Sequence, residues 1–316
     1  MSRFFIGVDT SCYTTSVSCI SEEGIVFEKR TMLSVPLGAR GLRQSDAVFQ
    51  HVKNLPELTR ALFEHVEREQ VAAIAVSVKP TADEGSYMPV FLAGKLNATA
   101  IASALSVPLY ETTHQAGHVR AAMLGNETEL SGETLLAMHL SGGTTDLLTV
   151  GLSNGSVGEI RKIGGCDDLH AGQFVDRVGV KMGLPFPSGA ELEKLAVRAA
   201  AHEIKIPSSV KGLNCSFSGQ ETQANRLLDE GKANEEVAYA VYDCMARTFS
   251  KMLLNAMENY GCKTALISGG VSGSALLREM LLQRTGKKLL FAQAGLSSDN
   301  AVGAALLARD RFLKGR

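Results

Sequence analysis

The chain has 316 residues, with 32 lysines and arginines against 33 aspartates and glutamates, giving a net charge of −1. Hydrophobic residues at 45% and charged residues at 21% exclude a disordered chain, and the length suffices for a large core in one or two domains. The balanced charge argues against a surface given over entirely to nucleic acid, while leaving room for a local basic patch or a basic partner.

Residues 4–30 (FFIGVDTSCYTTSVSCISEEGIVFEKR) read as an apolar strand, a loop of small hydroxyl residues, a second β-prone run, a polar turn and a third run. The chain enters this strand pattern at once, without the apolar region of a signal peptide, and no run reaches the length of a membrane span. Residues 44–70 have helical periodicity through Val48, Leu55, Leu58, Leu62, Phe63 and Val66. A buried strand is predicted at 72–80, a small-residue helix at 89–106 and a short strand at 107–112. The next helix begins with Thr112 or Thr113 as its cap. Residues 135–162 (LLAMHLSGGTTDLLTVGLSNGSVGEIRK) then repeat the plan of 4–30. An insert at 164–230, rich in Gly, Pro and Ser, holds helices near 171–182 and 189–203. A long helix at 233–260, a strand at 264–270, a helix at 274–286, a strand at 287–292 and a final alanine-rich helix at 299–314 complete the chain.

The repeated strand–loop–strand–turn–strand opening predicts a duplicated α/β fold with a cleft between its halves. In each copy the loop offers hydroxyls and backbone N–H groups beside small side chains, as close approach to a phosphate requires. Thr10–Thr15 form the first such loop, and Ser141, Gly142 and Gly143 open the second. Gly269 and Gly270, in the turn ISGGVSGS, form another glycine-rich strand-to-helix junction. Each loop alone is equally an ordinary tight turn.

His114 and His118, in HQAGH, lie four residues apart, so one helix face carries both imidazoles. The spacing matches the zincin HExxH, but Gln115 stands where the general-base glutamate would be, which disfavours a metalloprotease. By spacing alone, two capping or surface histidines are the commoner reading. Asp299, in SSDNA before the last helix, is a candidate third ligand and equally an ordinary N-cap. Asp176 could meet ribose hydroxyls or pair with Arg177 or Lys181, and Gly189 stands at a helix entry after Pro187 and Ser188. The six cysteines show no CxxC spacing and read as reduced thiols, consistent with a cytoplasmic protein.

Taken together, GVDTSC, HQAGH, LSGGTTDL, GLPFPSGAELEKLA, CSFSG, ISGGVSGSALLR and SSDNAVGA, in that order, resemble the TsaD family nearly end to end. That family was formerly called glycoprotease or O-sialoglycoprotein endopeptidase. The resemblance implies an actin-like fold of the sugar kinase and heat-shock ATPase superfamily, α/β and two-lobed with a central nucleotide cleft. The lobes would be 1–112, with helix 300–316 packing back on it, and 113–299, with a helical insert at about 164–230. It implies a transferase moving a threonylcarbamoyl group from threonylcarbamoyl-AMP to an adenosine of tRNA near the anticodon. One divalent metal, iron or zinc, would be held by His114, His118 and Asp299. The adenine nucleotide would be held by Ser141, Gly142, Gly143, Asp176, Gly189, Gly269, Gly270 and Ser274, the last standing where the family usually has asparagine. TsaB-like and TsaE-like proteins, in a homo- or heterodimer, are the implied partners, with tRNA and no membrane.

The sequence also departs from the family. The usual ETSCDET is Asp9-Thr10-Ser11-Cys12-Tyr13-Thr14-Thr15, the usual SGGHT is Ser141-Gly142-Gly143-Thr144-Thr145, and a usual lysine is Glu221. A GPG turn has become Lys79-Pro80-Thr81, and GVSAN now ends in Gly273-Ser274. These changes keep open a non-catalytic or altered-acceptor paralogue that binds a partner protein and nucleotide.

Overall fold

The computed structural model describes residues 2–11, 13–35, 42–130, 132–153, 155–166 and 168–315, so Cys12 of the GVDTSC motif lies outside it. The chain divides into two compact units. The first is Met1–Leu124 with Ser153–Val157 and Asp299–Arg316; the second is Gly125–Leu152 with Gly158–Ser298.

In the first unit, β1 (Phe4–Asp9), β2 (Thr14–Ile20), β3 (Ile25–Met32), β4 (Val71–Lys79) and β5 (Leu109–Thr113) form one sheet in the order β3-β2-β1-β4-β5. The first three strands are antiparallel neighbours, while β4 and β5 continue the sheet in parallel. α1 (Gln44–Phe63), α2 (Phe91–Leu105), α3 (His114–Met123) and α9 (Val302–Lys314) complete the unit. Central β1 and β4 are buried almost throughout, and Ile6, Val8, Ile74 and Val76 form a core with Leu55, Leu58 and Leu62 of α1. That burial explains why these strands read as continuous apolar runs rather than alternating ones.

α9 is alanine-rich because it must lie close to its neighbours. A Cβ on Gly7 of β1 would fall 2.2 Å from the Ala301 carbonyl oxygen and 2.5 Å from the Ala305 nitrogen. From Val302 to Ala308 the helix is buried without interruption.

The second unit carries the other sheet, apart from the last residue of β7 and the first two of β8: β6 (Thr134–Leu140), β7 (Thr145–Ser153), β8 (Ser156–Cys166), β9 (Ser209–Lys211), β10 (Asn214–Ser216), β11 (Thr264–Ser268) and β12 (Lys288–Phe291) run in the order β12-β11-β6-β7-β8-β10-β9. Its β8-β7-β6-β11-β12 part reproduces the order of the first sheet, so the duplication in the sequence is a duplication of topology. α4 (Ala171–Lys181), α5 (Gly189–Val197), α6 (Ser218–Asp229), α7 (Asn234–Tyr260) and α8 (Ala275–Thr285) pack with it. Phe174, Phe217 and Phe249 lie in its core.

Two helix ends differ from the sequence reading. The helix expected over 44–70 stops at Phe63, and residues 68–70 form a 3₁₀ turn. The helix expected over 189–203 stops at Val197. Just beyond it, the Glu236 carboxylate accepts the backbone N–H groups of Ala200, Ala201 and His202, each at 2.9 Å, and His202 turns to φ +55°. A carboxylate that draws three successive amides inward offers them an alternative to helical carbonyls. The β9–β10 hairpin and α6 add order to a segment that the sequence left irregular. Among the described residues no helix is long and apolar enough to cross a membrane, and the described cysteines are free thiols.

Candidate functional site

The first unit brings His114, His118 and Asp299 together. His114 is the first residue of α3, whose N-cap Thr113 accepts the Ala116 N–H at 3.1 Å. His118 follows one turn later, its ring edge-on to that of His114 with centroids 4.3 Å apart. Asp299 precedes α9 and arrives because α3 and α9 cross at their glycines, where a Cβ on Gly303 would sit 1.8 Å from the Gly117 carbonyl oxygen. The approach is anchored by Ser16, which accepts the Ala301 N–H at 2.8 Å, and by Arg30, which donates to the Asp299 carbonyl at 3.2 Å.

The Nε2 atoms of the two histidines are 2.9 Å apart, and the Asp299 Oδ1 lies 3.2 Å from His118 Nε2 and 3.5 Å from His114 Nε2. One ligand atom from each residue lies within 4.8 Å of the other two. Ligand atoms about 2.1 Å from a shared ion are separated by about 3.0 to 3.4 Å at octahedral or tetrahedral angles, so this donor set fits one divalent cation. Two imidazoles and one carboxylate suit iron or zinc with positions left open for a ligand.

Sequence reasoning missed the role of Asp9. It ends β1 almost fully buried, with Oδ2 2.9 Å from His114 Nδ1. Burial works to raise the Asp9 pKa, but the adjacent His114 charge and hydrogen bond prevail and hold it below the usual value. Burial likewise works to lower His114, but the Asp9 and Asp299 carboxylates raise it well above the usual histidine range. Asp299 is held well below the carboxylate range by His114 and His118, against the opposing effect of burial. A carboxylate at a strand end beside a hydroxyl loop was the available signal, but its partner lies 105 residues away.

All eight residues assigned to the nucleotide lie in the second unit. Ser141–Gly143 and Gly269–Gly270 leave the neighbouring parallel strands β6 and β11 at the same end. Gly269 has φ +92°, and a Cβ there would lie 2.2 Å from the Leu140 carbonyl oxygen, so only glycine fits this junction. α4 begins against the first loop: Gly172 N–H donates to the Ser141 carbonyl at 3.1 Å, and Ala171 N–H to Thr145 Oγ1 at 2.9 Å. Gly142, Gly143 and Gly270 have open space where a Cβ would project.

The remaining three join through intermediates. Asp176 Oδ1 accepts the Ser188 N–H at 2.7 Å, which fixes the entry to α5 just before Gly189. The buried Tyr242 donates its hydroxyl to the Gly189 carbonyl at 3.0 Å and is also bonded to the Ser274 side chain. Ser274 caps α8 by accepting the Leu277 N–H at 3.1 Å. Burial pushes the Asp176 carboxyl and the Tyr242 hydroxyl above their usual pKa ranges. Tyr242 had no motif to announce it, while Ser188, inside GLPFPSGAELEKLA, reads in the sequence only as part of a helix entry. Of the departures, Glu221 is ion-paired with Arg177 at 3.2 Å, while Tyr13 is 41% exposed.

Known proteins resemble this chain in sequence and in fold. The family model described as TsaD, tRNA N6-adenosine threonylcarbamoyltransferase, matches residues 37–306. A tRNA N6-adenosine threonylcarbamoyltransferase of Thermus thermophilus is 31% identical over 319 residues, spanning 98% of this chain and 93% of that one. Among solved structures, the activator of the 2-hydroxyisocaproyl-CoA dehydratase from Clostridium difficile, with bound ADPNP, superposes at TM-score 0.58. It is 15% identical, covering 100% of this chain and 97% of that one. A ROK family glucokinase from Streptomyces griseus, in complex with glucose and AMPPNP, superposes at 0.54 with 13% identity, covering 97% of this chain and 99% of that one. The fold is therefore the actin-like one shared by ATPases and sugar kinases.

Proposed function

The chain belongs to the TsaD family of tRNA N6-adenosine threonylcarbamoyltransferases, and from that premise we propose that it transfers threonylcarbamoyl from threonylcarbamoyl-AMP to a tRNA adenosine. The family match across 37–306 carries this reading. The reaction needs no protein nucleophile. The adenosine N6 attacks the carbamoyl carbon and forms the new C–N bond. The bond from that carbon to the phosphate oxygen breaks, AMP leaves with the electron pair, and the N6 proton is released. Positioning and electrostatics can supply the acceleration.

In this reading Ser141, Gly142, Gly143, Gly269 and Gly270 present backbone N–H groups to the nucleotide phosphate. Asp176 and Gly189 meet the ribose and base, with Ser188 and Tyr242 holding them in place. Ser274 stands beside them at the start of α8. His114, His118 and Asp299 would hold one divalent cation, iron or zinc, which supplies Lewis acidity toward phosphate or carbamoyl oxygens. TsaB-like and TsaE-like proteins are the proposed partners, in a dimer, and the proposed setting is the cytoplasm.

The test is reconstitution with threonylcarbamoyl-AMP, tRNA and the candidate partners, reading modified adenosine by mass spectrometry. We expect modification that depends on a partner, because Tyr13, Thr14, Thr144 and Glu221 replace family residues. The Arg177–Glu221 pair leaves little free positive charge there for a polyanion. Nucleotide and metal binding without modification under every combination would favour the second reading, a paralogue with an altered acceptor or none.

A further inference from the structure

We infer that Asp9 sets the tautomer of His114, so that cation affinity at the His114–His118–Asp299 cluster depends on a residue that is not itself a ligand. This rests on the reading of that cluster as a metal site. Each oxygen of the Asp9 carboxylate already has its own donor. Oδ1 accepts the Ser11 backbone N–H at 2.9 Å, and Oδ2 lies 2.9 Å from His114 Nδ1. An ionised carboxylate only accepts, so the hydrogen in the second contact belongs to the imidazole. With Nδ1 protonated, Nε2 keeps its lone pair. Nε2 is also the atom that faces His118 Nε2 at 2.9 Å and Asp299 Oδ1 at 3.5 Å. The ring has little room to turn, flanked by Phe91 at a centroid distance of 6.2 Å and by His118 at 4.3 Å. Metal-ligating histidines characteristically donate their other ring N–H to such a partner, and loss of the partner weakens metal binding.

Near-isosteric replacement exposes the role. In Asp9→Asn one oxygen becomes an NH₂ group. If the remaining oxygen stays with Ser11, the amide donates to His114 Nδ1. The imidazole must then carry its proton on Nε2, pointing at the cluster, where it cannot ligate. If the amide is turned the other way, the Ser11 N–H faces a donor in a buried site, which strains the loop that places Asp9. Asp9→Glu keeps two acceptor oxygens and serves as the rescue.

The experiment titrates the metal-free full-length chain with Zn²⁺ and Co²⁺ against a competing chelator, for the native protein, Asp9→Asn and Asp9→Glu. We expect cation affinity about 10- to 100-fold weaker in Asp9→Asn and largely recovered in Asp9→Glu. In parallel, ¹⁵N NMR of the zinc-loaded native protein, with the His114 signals assigned by their loss in His114→Gln, should show Nδ1 protonated and Nε2 bound to metal. Native affinity in Asp9→Asn, or zinc bound through Nδ1, overturns the inference while leaving the metal site intact. Absence of zinc and cobalt uptake by the native protein overturns the metal site and the inference together. If Asp9→Asn does not fold, the tautomer measured in the native protein decides.

Discussion

Gly303 faces Gly117 so closely that a methyl group on it would occupy the space of the Gly117 carbonyl oxygen, with a Cβ only 1.8 Å away. This crossing joins the helix that carries both histidines to the helix that Asp299 precedes. The neighbouring atoms are backbone and cannot rotate aside. Gly303→Ala must therefore push α9 off α3, at a cost of about 1–3 kcal/mol for overpacking. The expected outcome is a lower thermal midpoint together with reduced metal content. A variant that loses neither would show that the helices have slack at this point.

The ligand residues themselves should behave differently from the crossing. His118→Ala and Asp299→Ala each remove one donor from the cluster. Elemental analysis of the purified protein should show metal content falling sharply in both. His65→Ala is the control, since that exposed histidine lies just past the end of α1, with Nδ1 2.9 Å from the Ala61 carbonyl and its ring 5.5 Å from that of Phe27, and it takes no part in the cluster. Equal metal in all the variants would remove the site from consideration.

Nucleotide binding can be separated from folding at Gly142. A Cβ there meets nothing within 4 Å, so Gly142→Val adds bulk on the open side of the loop without striking the protein. If the Ser141–Gly143 backbone approaches a phosphate, that bulk blocks it. Calorimetric titration with ATP or ADP should show binding weakened at least tenfold, corresponding to about 1.4 kcal/mol, with the thermal midpoint near that of the native chain. Undiminished affinity would place the nucleotide elsewhere.

What the sequence revealed about this site follows the range of the interactions. The His114–His118 pair was visible because a helical turn is a local repeat. The Ser141–Gly143 loop was visible because another loop of small hydroxyl residues, Thr10–Thr15, stands in the equivalent place of the first copy. Asp299 meets His118 across 181 residues; the residues alone left it equally a third ligand or an N-cap, and only family resemblance favoured the ligand, because the Gly117–Gly303 crossing leaves no periodic trace. Asp9 sat in a recognised motif, yet its task depends on where α3 begins. The helix after Gly189 was overextended because Glu236, on a different helix, takes the amides that would have continued the turn.

His51 makes a prediction about acid stability. It is fully buried on α1, with Nδ1 2.9 Å from Thr15 Oγ1, and burial pushes its pKa down to about 4. The nearby Asp9 charge opposes this shift without overcoming it. The folded state therefore keeps His51 neutral, while the unfolded chain takes up a proton below its ordinary pKa near 6.5. In the window from about 6.5 down to about 4 the unfolded state binds more protons, so this group makes stability fall as pH falls. The loss amounts to about 2 kcal/mol between pH 7.5 and 5. His114 contributes with the opposite sign, because its raised pKa adds stability that is complete at low pH and lost as pH rises. The informative quantity is therefore the difference between the native chain and His51→Gln, which lacks the His51 titration and retains that of His114. Urea unfolding at pH 7.5 and pH 5 should show the native chain losing about 2 kcal/mol more than the variant. Parallel losses in the two proteins would mean that His51 is protonated in the folded state and that its pocket is wetter than its burial implies.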